Sequence, residues 1–238
     1  MAGHSKWANI KHQKERSDKQ KGKIFSRMAK EIISAVRLGG ADPKNNPRLK
    51  LAIQKAKKAN FPNDNIDRNI KKASSPDQAN YEFITYEIYG YGGVGLIVEV
   101  MTDNKNRTAT DMRIAINKRG GSIASPGSVA FNFDRKGVIQ IERKGQNEEE
   151  LFNAAIEAGA EDFEAADEGF MITTDPTALY AVKDLLDEKG LESVEAGIEM
   201  IPKTLIACDA ETLSSNNALI EWLEEIDDVD TVYHNMDL

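Results

Sequence analysis

The spacing of apolar residues changes near residue 80, and that change limits the folds open to this chain. Before it, apolar residues recur three and four positions apart, the period of one helix face. Ile24, Phe25, Met28, Ile32, Ala35 and Val36 form one such stripe, stopped by Gly39-Gly40. Leu49, Ala52, Ile53 and Ala56 form a second, over 48–59. Ile66 and Ile70 mark a short third helix over 63–73, where Asp67 and Lys71 stand one turn apart and can pair. Ser74-Ser75-Pro76-Asp77 reads as the linker out of these helices. Beyond it, aromatic and β-branched runs over 81–91 and 94–100 flank Gly90, Gly92, Gly93 and Gly95, which predicts a hairpin. A helix over 108–118, closed by Gly120-Gly121, and a strand over 128–133 follow.

From Lys136 a second α/β pattern begins. A strand is expected over 138–141, then a helix over 148–158 with Asn147 as N-cap and three glutamates in its first turn. Strands over 162–166 and 170–173 surround the turn Asp167-Glu168-Gly169. Pro176 is placed as N1 of a helix reaching Lys189, with Leu179, Val182, Leu185 and Leu186 as its core face. A strand over 191–201 ends a β-α-β-β-α-β series, the ferredoxin-like order. The remaining residues read as a strand over 205–208, a helix bearing Leu219, Trp222, Leu223 and Ile226, and a strand over 229–234. Since the ferredoxin-like unit is already complete, both of those strands are expected to pair with strands of 81–133. Glu221, Glu224, Glu225, Asp227 and Asp228 are expected on the solvent side of the last helix. The expected fold is α+β with three domains. These are a basic N-terminal arm and helical domain (1–77), a discontinuous α/β domain (78–133 plus 204–238), and an inserted ferredoxin-like βαββαβ domain (134–203).

Charge divides the same way. The net charge of −8 conceals 19 Lys/Arg against 6 Asp/Glu in residues 1–75, and 12 against 33 in the rest. A basic segment joined to an acidic body suggests a nucleic-acid-binding module. His4, Lys6, Lys11, His12, Lys14, Arg16, Lys19, Lys21 and Lys23 crowd the arm, with Trp7 among them. Lysines and arginines neutralise phosphates and release counterions, while an indole can stack on an unpaired base or anchor the arm on the protein. Lys50, Lys55, Lys57 and Lys58 lie off the second apolar stripe and would extend this surface. Residues 1–22 hold only Trp7 and Ile10 as large apolar side chains, which predicts a flexible or loosely docked arm. No recognition helix of helix-turn-helix type stands out, and the short third helix lacks the Asn/Gln/Arg cluster that reads base edges, so shape or backbone recognition is expected over strong sequence readout.

Other classes lack support. Gly90-Tyr91-Gly92-Gly93-Val94-Gly95 matches G-x-G-x-x-G literally, but a strand follows it where a dinucleotide site needs a helix N-terminus. His4, His12 and His234 are not spaced with carboxylates as metal ligands, and no cofactor or metal is expected. Cys208, the one cysteine, sits in an apolar run without a histidine partner and reads as a structural thiol; a single cysteine fits a reducing cytoplasm. Glu161, Asp162, Glu164, Asp167 and Glu168 either gather a divalent cation or line an exposed strand and its turn. No apolar run is long enough for a membrane helix, and the N-terminus has no signal-peptide core. The expectation is a non-enzymatic, cytoplasmic nucleic-acid-binding regulator. An adaptor that docks a protein partner through its acidic body is the competing class, and a metal-dependent enzyme using the 161–168 acids is a third.

Several stretches are family-specific. Met1-Ala2-Gly3-His4-Ser5-Lys6-Trp7-Ala8-Asn9-Ile10-Lys11-His12 resembles the N-terminal signature of the YebC/PmpR family. Gly22-Lys23-Ile24-Phe25, Asn46-Pro47-Arg48-Leu49, Ala52-Ile53-Gln54-Lys55-Ala56-Lys57 and Asn65-Ile66-Asp67-Arg68 match as well. So do Thr102-Asp103-Asn104-Lys105-Asn106-Arg107-Thr108 and Gly127-Ser128-Val129-Ala130-Phe131. The resemblance implies a three-domain cytoplasmic protein of the architecture derived above. It also implies action on nucleic acid: some members are described as DNA-binding transcriptional regulators, others as translation factors at the ribosome, including a mitochondrial activator of cytochrome oxidase synthesis. DNA and ribosomal RNA both stay open as targets.

Overall fold

The computed structural model describes Ile10 and residues 24–75 and 81–237. Residues 24–75 form three helices: α1 (Ile24–Gly39), α2 (Pro47–Lys58) and α3 (Asn63–Ser74). Ile32, Val36, Leu49, Ala52, Ala56 and Ile66 form their common core, as the periodicity requires. Ile33 also joins that core, while Phe25 stays half exposed and meets Phe61 edge-on with ring centroids 5.2 Å apart. The joint between α1 and α2 depends on Asn46. Its Oδ1 accepts from the Leu49 N–H at 3.0 Å, and its Nδ2 donates to the carbonyls of Ala35 (2.8 Å) and Gly40 (2.7 Å). A Cβ at Gly39 would lie 2.7 Å from that amide nitrogen, so the close approach needs a glycine.

The chain continues through β1 (Glu82–Tyr89), β2 (Gly95–Thr102), α4 (Lys105–Arg119), β3 (Ser122–Ile123), β4 (Phe133–Glu142), α5 (Glu148–Ala158) and β5 (Asp162–Ala165). It ends with β6 (Gly169–Thr174), α6 (Leu179–Glu188), β7 (Glu195–Pro202), β8 (Ile206–Ala207), α7 (Ala210–Glu224), β9 (Val229–His234) and β10 (Met236–Asp237). Two four-stranded antiparallel sheets result. The first has the order β3-β1-β2-β9, so the strand at 229–234 does return to the 81–133 strands. Leu96, Val98, Val100, Met112, Ile116, Leu219 and Leu223 fill the space between this sheet and α4 and α7. The second has the order β5-β6-β4-β7, the ferredoxin-like arrangement, with Ile139, Ile141, Phe170 and Ile172 packed against α5 and α6. The glycine run is a hairpin connection: one 3₁₀ turn, Tyr91–Gly93, with Gly92 at φ 64° and Gly93 at φ 83°.

Six expectations need correction. Residues 128–133 are not a strand: they turn through Ala130–Asn132, and β4 starts at Phe133, because amides of this loop are engaged by the Glu87 carboxylate. The 205–208 strand shrinks to β8, which pairs in parallel with β10 and not with the first sheet. The sixth helix starts at Leu179, not at Pro176, since Asp175 Oδ1 accepts from the Thr177 N–H at 2.8 Å and holds a turn there. Leu185, expected in the core, is exposed. Asp228, expected in solvent, is buried beneath a hydrogen-bond network. Ile10, expected in a loosely docked arm, is only 4% exposed and packs with Val138, Met171 and Ile201 on the second sheet, opposite its helices.

Candidate nucleic-acid interface

Lys50, Lys57 and Lys58 are exposed on α2. The helix begins at the Asn46 cap with Pro47 in its first turn, and its last turn carries Lys55, Lys57 and Lys58. Cations there complement the exposed carbonyls of a helix C-terminus. Asn60, at φ 57°, and the buried Phe61 turn the chain into α3, whose last turn carries the exposed Lys71 and Lys72. The lysines can keep this density because they are exposed, so water and salt screen the repulsion between their ammonium groups.

Lys55 differs from its neighbours. It is half-buried, and its ammonium lies 3.3 Å from Glu31 and 3.5 Å from Glu195 at the start of β7. Burial favours its neutral form, but the two carboxylates outweigh that and leave its pKa raised. Lys55 therefore ties α2 to the second sheet, and Leu51 packs on that sheet's core alongside. Arg48 is likewise engaged, donating to Ser34 Oγ at 3.0 Å. His4, Lys6, Trp7, Lys11, His12, Lys14, Arg16, Lys19, Lys21 and Lys23 lie outside the described residues.

The other candidates resolve plainly. Glu161 pairs with Lys136 at 2.7 Å, and no group of His, Cys, Asp or Glu among the described residues is arranged to hold a metal ion. Cys208 is half-buried, and burial together with Asp209 and Asp237 pushes its thiol pKa up. His234 is buried and accepts from the Met236 N–H at 3.3 Å. A groove between α4 and α7 is lined by Ile114, Trp222, Asp111, Glu225 and Asp227 among others.

Three features escaped the sequence reading. Glu87, buried in β1, accepts from the N–H groups of Gly127 (2.5 Å), Val129 (2.6 Å) and Ala130 (2.8 Å). Burial raises its pKa, but these three donors prevail and hold it below the ordinary range. The loop so fixed displays Phe131, which is 71% exposed. Asp228 accepts from Thr108 Oγ1 (2.7 Å), Thr102 Oγ1 (3.1 Å) and Arg107 (2.9 Å), and Arg107 also bonds Asp103 at 2.8 Å. Burial again pushes the carboxyl up, and these bonds again leave it lowered. A glutamate between Tyr86 and Ile88 in an aromatic and β-branched strand was the available sign for Glu87; nothing in the acidic run 224–230 distinguished Asp228.

The comparisons with known proteins cover the whole of this architecture. Residues 5–76 match the TACO1/YebC protein N-terminal domain, and residues 81–236 match the TACO1/YebC second and third domain. The chain belongs to the TACO1/YebC family. A "probable transcriptional regulatory protein" of Protochlamydia amoebophila is 67% identical over 99% of this chain and 96% of its own length. A protein of the same description from Chlamydia trachomatis is 59% identical over 99% of this chain and 100% of its own. The crystal structure of a conserved hypothetical protein from Aquifex aeolicus superposes with a TM-score of 0.84 at 44% identity, covering 98% of this chain and 96% of that one. Several family-specific stretches have structural tasks in the fold. Asn46 caps α2, and Asn104 caps α4 by accepting from the Arg107 N–H at 3.1 Å. Gly127 and Val129 supply amides to Glu87.

Proposed function

We propose that this chain is a nucleic-acid-binding regulator of gene expression that acts without catalysis, metal or cofactor, in the cytoplasm. The observation that carries this reading is the segregation of charge. Exposed Lys50, Lys57 and Lys58 on α2 belong to a 75-residue segment with 19 cationic and 6 anionic residues, while the rest of the chain is strongly acidic. Such a surface neutralises phosphates, and the acidic remainder repels a polyanion and so orients the complex. The names of the relatives support a role in transcription, hence DNA as the target. Ribosomal RNA is the second reading, favoured by the exposed Phe131 and by Trp7, since aromatic rings stack on unpaired bases. In both readings residues 1–77 carry the phosphate contacts, with Phe131 adding a stacking contact in the second; 78–133 plus 204–238 and 134–203 form two body domains whose acidic surfaces can dock a protein partner.

Fluorescence anisotropy with duplex DNA and with looped RNA, across a salt series, tests the proposal. Replacing Lys50, Lys57 and Lys58 together with Ala should weaken binding to every sequence alike. It should flatten the slope of log affinity against log salt by about 2–3, at roughly 0.7–0.9 for each phosphate that no longer meets a cation. An unchanged slope removes α2 from the interface.

A further inference from the structure

Helical spacing sets the walls of the groove between α4 and α7. On α4, Arg107, Asp111 and Ile114 recur four and three positions apart and so share one side of the helix, next to its buried stripe of Thr108, Met112, Ala115 and Ile116. On α7, Trp222 and Ile226 stand one turn apart with Glu225 beside them, and Asp227 and Asp228 follow the helix end. The groove has a volume of about 650 Å³, and its apolar part is Ile114, 47% exposed, with Trp222 and Ile226. The fold holds this shape from within. Asp228 accepts from Thr108 and Arg107 and so ties the start of α4 to the end of α7. Lys118 and Arg119 lie over the Trp222 ring, 4.8 and 4.9 Å from its centroid. An occupant therefore meets walls that are already ordered, which lowers the cost of binding.

Charge decides what fits. Arg107 is engaged by Asp103 and Asp228, and Lys118 and Arg119 by the indole. Asp111, Glu225 and Asp227 have no ion-pair partner among the described residues. Glu225 and Asp227 also stand at the C-terminal end of α7, whose last turn carries no basic residue. Exposed carbonyls make such an end negative, so cations are favoured there and added anions cost stability. The last turns of α2 and α4 obey that rule with lysine and arginine. We propose that this groove docks a cationic peptide segment of a partner protein. One aliphatic or aromatic side chain sits on Ile114, Trp222 and Ile226, and flanking Lys or Arg residues meet Asp111, Glu225 and Asp227. The same carboxylates repel a polyanion. The inference rests on the reading of the acidic body as a protein-docking surface and not on the nucleic-acid contacts of α2.

The test pans a displayed library of random peptides on the full chain. Enriched peptides should share an apolar residue flanked by Lys or Arg; no enrichment, or enrichment without that pattern, overturns the proposal. A fluorescent copy of the most enriched peptide is then titrated by anisotropy. Ile114→Ser should weaken it about ten-fold or more, as for an interface anchor. Asp111→Asn combined with Asp227→Asn should weaken it about two- to ten-fold, as for two exposed ion pairs, and reduce its salt dependence. Glu148→Gln combined with Glu149→Gln, on α5, should change nothing. A peptide held equally by Ile114→Ser, or weakened as much by the α5 pair, is bound by overall charge and overturns the groove. Ile114 is half exposed, so its variant keeps the fold, which circular dichroism checks. The ¹⁵N-indole signal of Trp222, assigned with Trp222→Phe, should shift when the peptide binds wild type; an unmoved signal places the peptide elsewhere and overturns the groove. Duplex DNA and looped RNA should bind Ile114→Ser as they bind wild type. A chain that takes the peptide but neither nucleic acid refutes the proposed function and leaves the groove standing; one that takes nucleic acid but no peptide does the reverse.

Discussion

The two sheets solve one problem in different ways. Each has a face packed by two helices and a second face that carries carboxylates. On the first sheet, Glu87 is taken inside, and three backbone N–H groups from the 127–130 loop satisfy it. On the second, Asp162 and Glu164 stay toward the surface of an edge strand, around an apolar strip that receives Ile10. A buried carboxylate fixes one loop in one conformation, because each donor left without it would be stranded. A surface carboxylate holds a partner by charge alone, weakly and in a salt-dependent way. The contrast predicts a rigid covering on the first sheet and only weak, salt-dependent contacts by the surface carboxylates of the second.

Breaking the rigid covering should have the largest effect. Glu87→Ala strands the buried Val129 N–H and leaves the more exposed Gly127 and Ala130 donors to water; at about 1–3 kcal/mol for the first and about 0.5–1.5 kcal/mol for each of the others, the loss should reach about 3 kcal/mol in urea denaturation. Glu87→Gln, which keeps one acceptor oxygen, should fall between. A loss below that of an ordinary surface substitution would mean the loop does not need its clamp. Ile10→Ala comes next, at about 2 kcal/mol, the lower end for emptying an aliphatic site. A thermal transition identical to wild type would return Ile10 to a loosely docked arm.

Asp228→Asn should cost about 1–2 kcal/mol, since an amide replaces a carboxylate that accepts from Thr102, Thr108 and Arg107. Its pH dependence sharpens the comparison. Glu87 and Asp228 both have lowered pKa values in the folded chain. The stability they contribute is therefore fully present above the ordinary carboxylate range and is lost as pH falls through their lowered folded values. The gap between wild type and either amide variant should be constant near neutrality and shrink on acidification; a gap that widens in acid would reverse the sign of the shift. Phe131→Ala should have the smallest effect on stability, within about 0.5 kcal/mol for an exposed side chain. If the ring stacks on a base, the same variant should lose affinity for looped RNA and not for duplex DNA.

Periodicity alone revealed much of this architecture. The three helical stripes, the hairpin and the β-α-β-β-α-β order are local patterns, repeated often enough to be read without tertiary knowledge. Asn147 could be placed as a cap because its evidence lies in the next few residues; its Oδ1 does accept from the Glu149 N–H at 3.0 Å. What was illegible depends on residues distant in sequence. The 128–133 segment alternates like a strand, yet Glu87, some 40 positions earlier, takes its amides. Asp228 reads as one more surface acid until Thr102 and Thr108 are brought to it across more than 100 residues. Lys55 is indistinguishable in sequence from Lys57 and Lys58, but it faces Glu195 of another unit. For the interface, the exposed positions on α2 follow from the apolar stripe opposite them, whereas the binding contribution of each lysine does not follow from spacing.

The order of strands in the first sheet also has a consequence in time. β2 lies between β1, its immediate predecessor, and β9, which begins at Val229. The second sheet, by contrast, is drawn entirely from one uninterrupted stretch, and Phe133 at its start is paired with Pro202 at its end. On a ribosome the chain emerges from its N-terminus at about 5–20 residues per second. The second sheet can close as soon as residue 202 is clear of the tunnel. The first sheet, begun earlier, must wait with the edge of β2 open until residues 229–234 have followed, so the part started first is the part finished last.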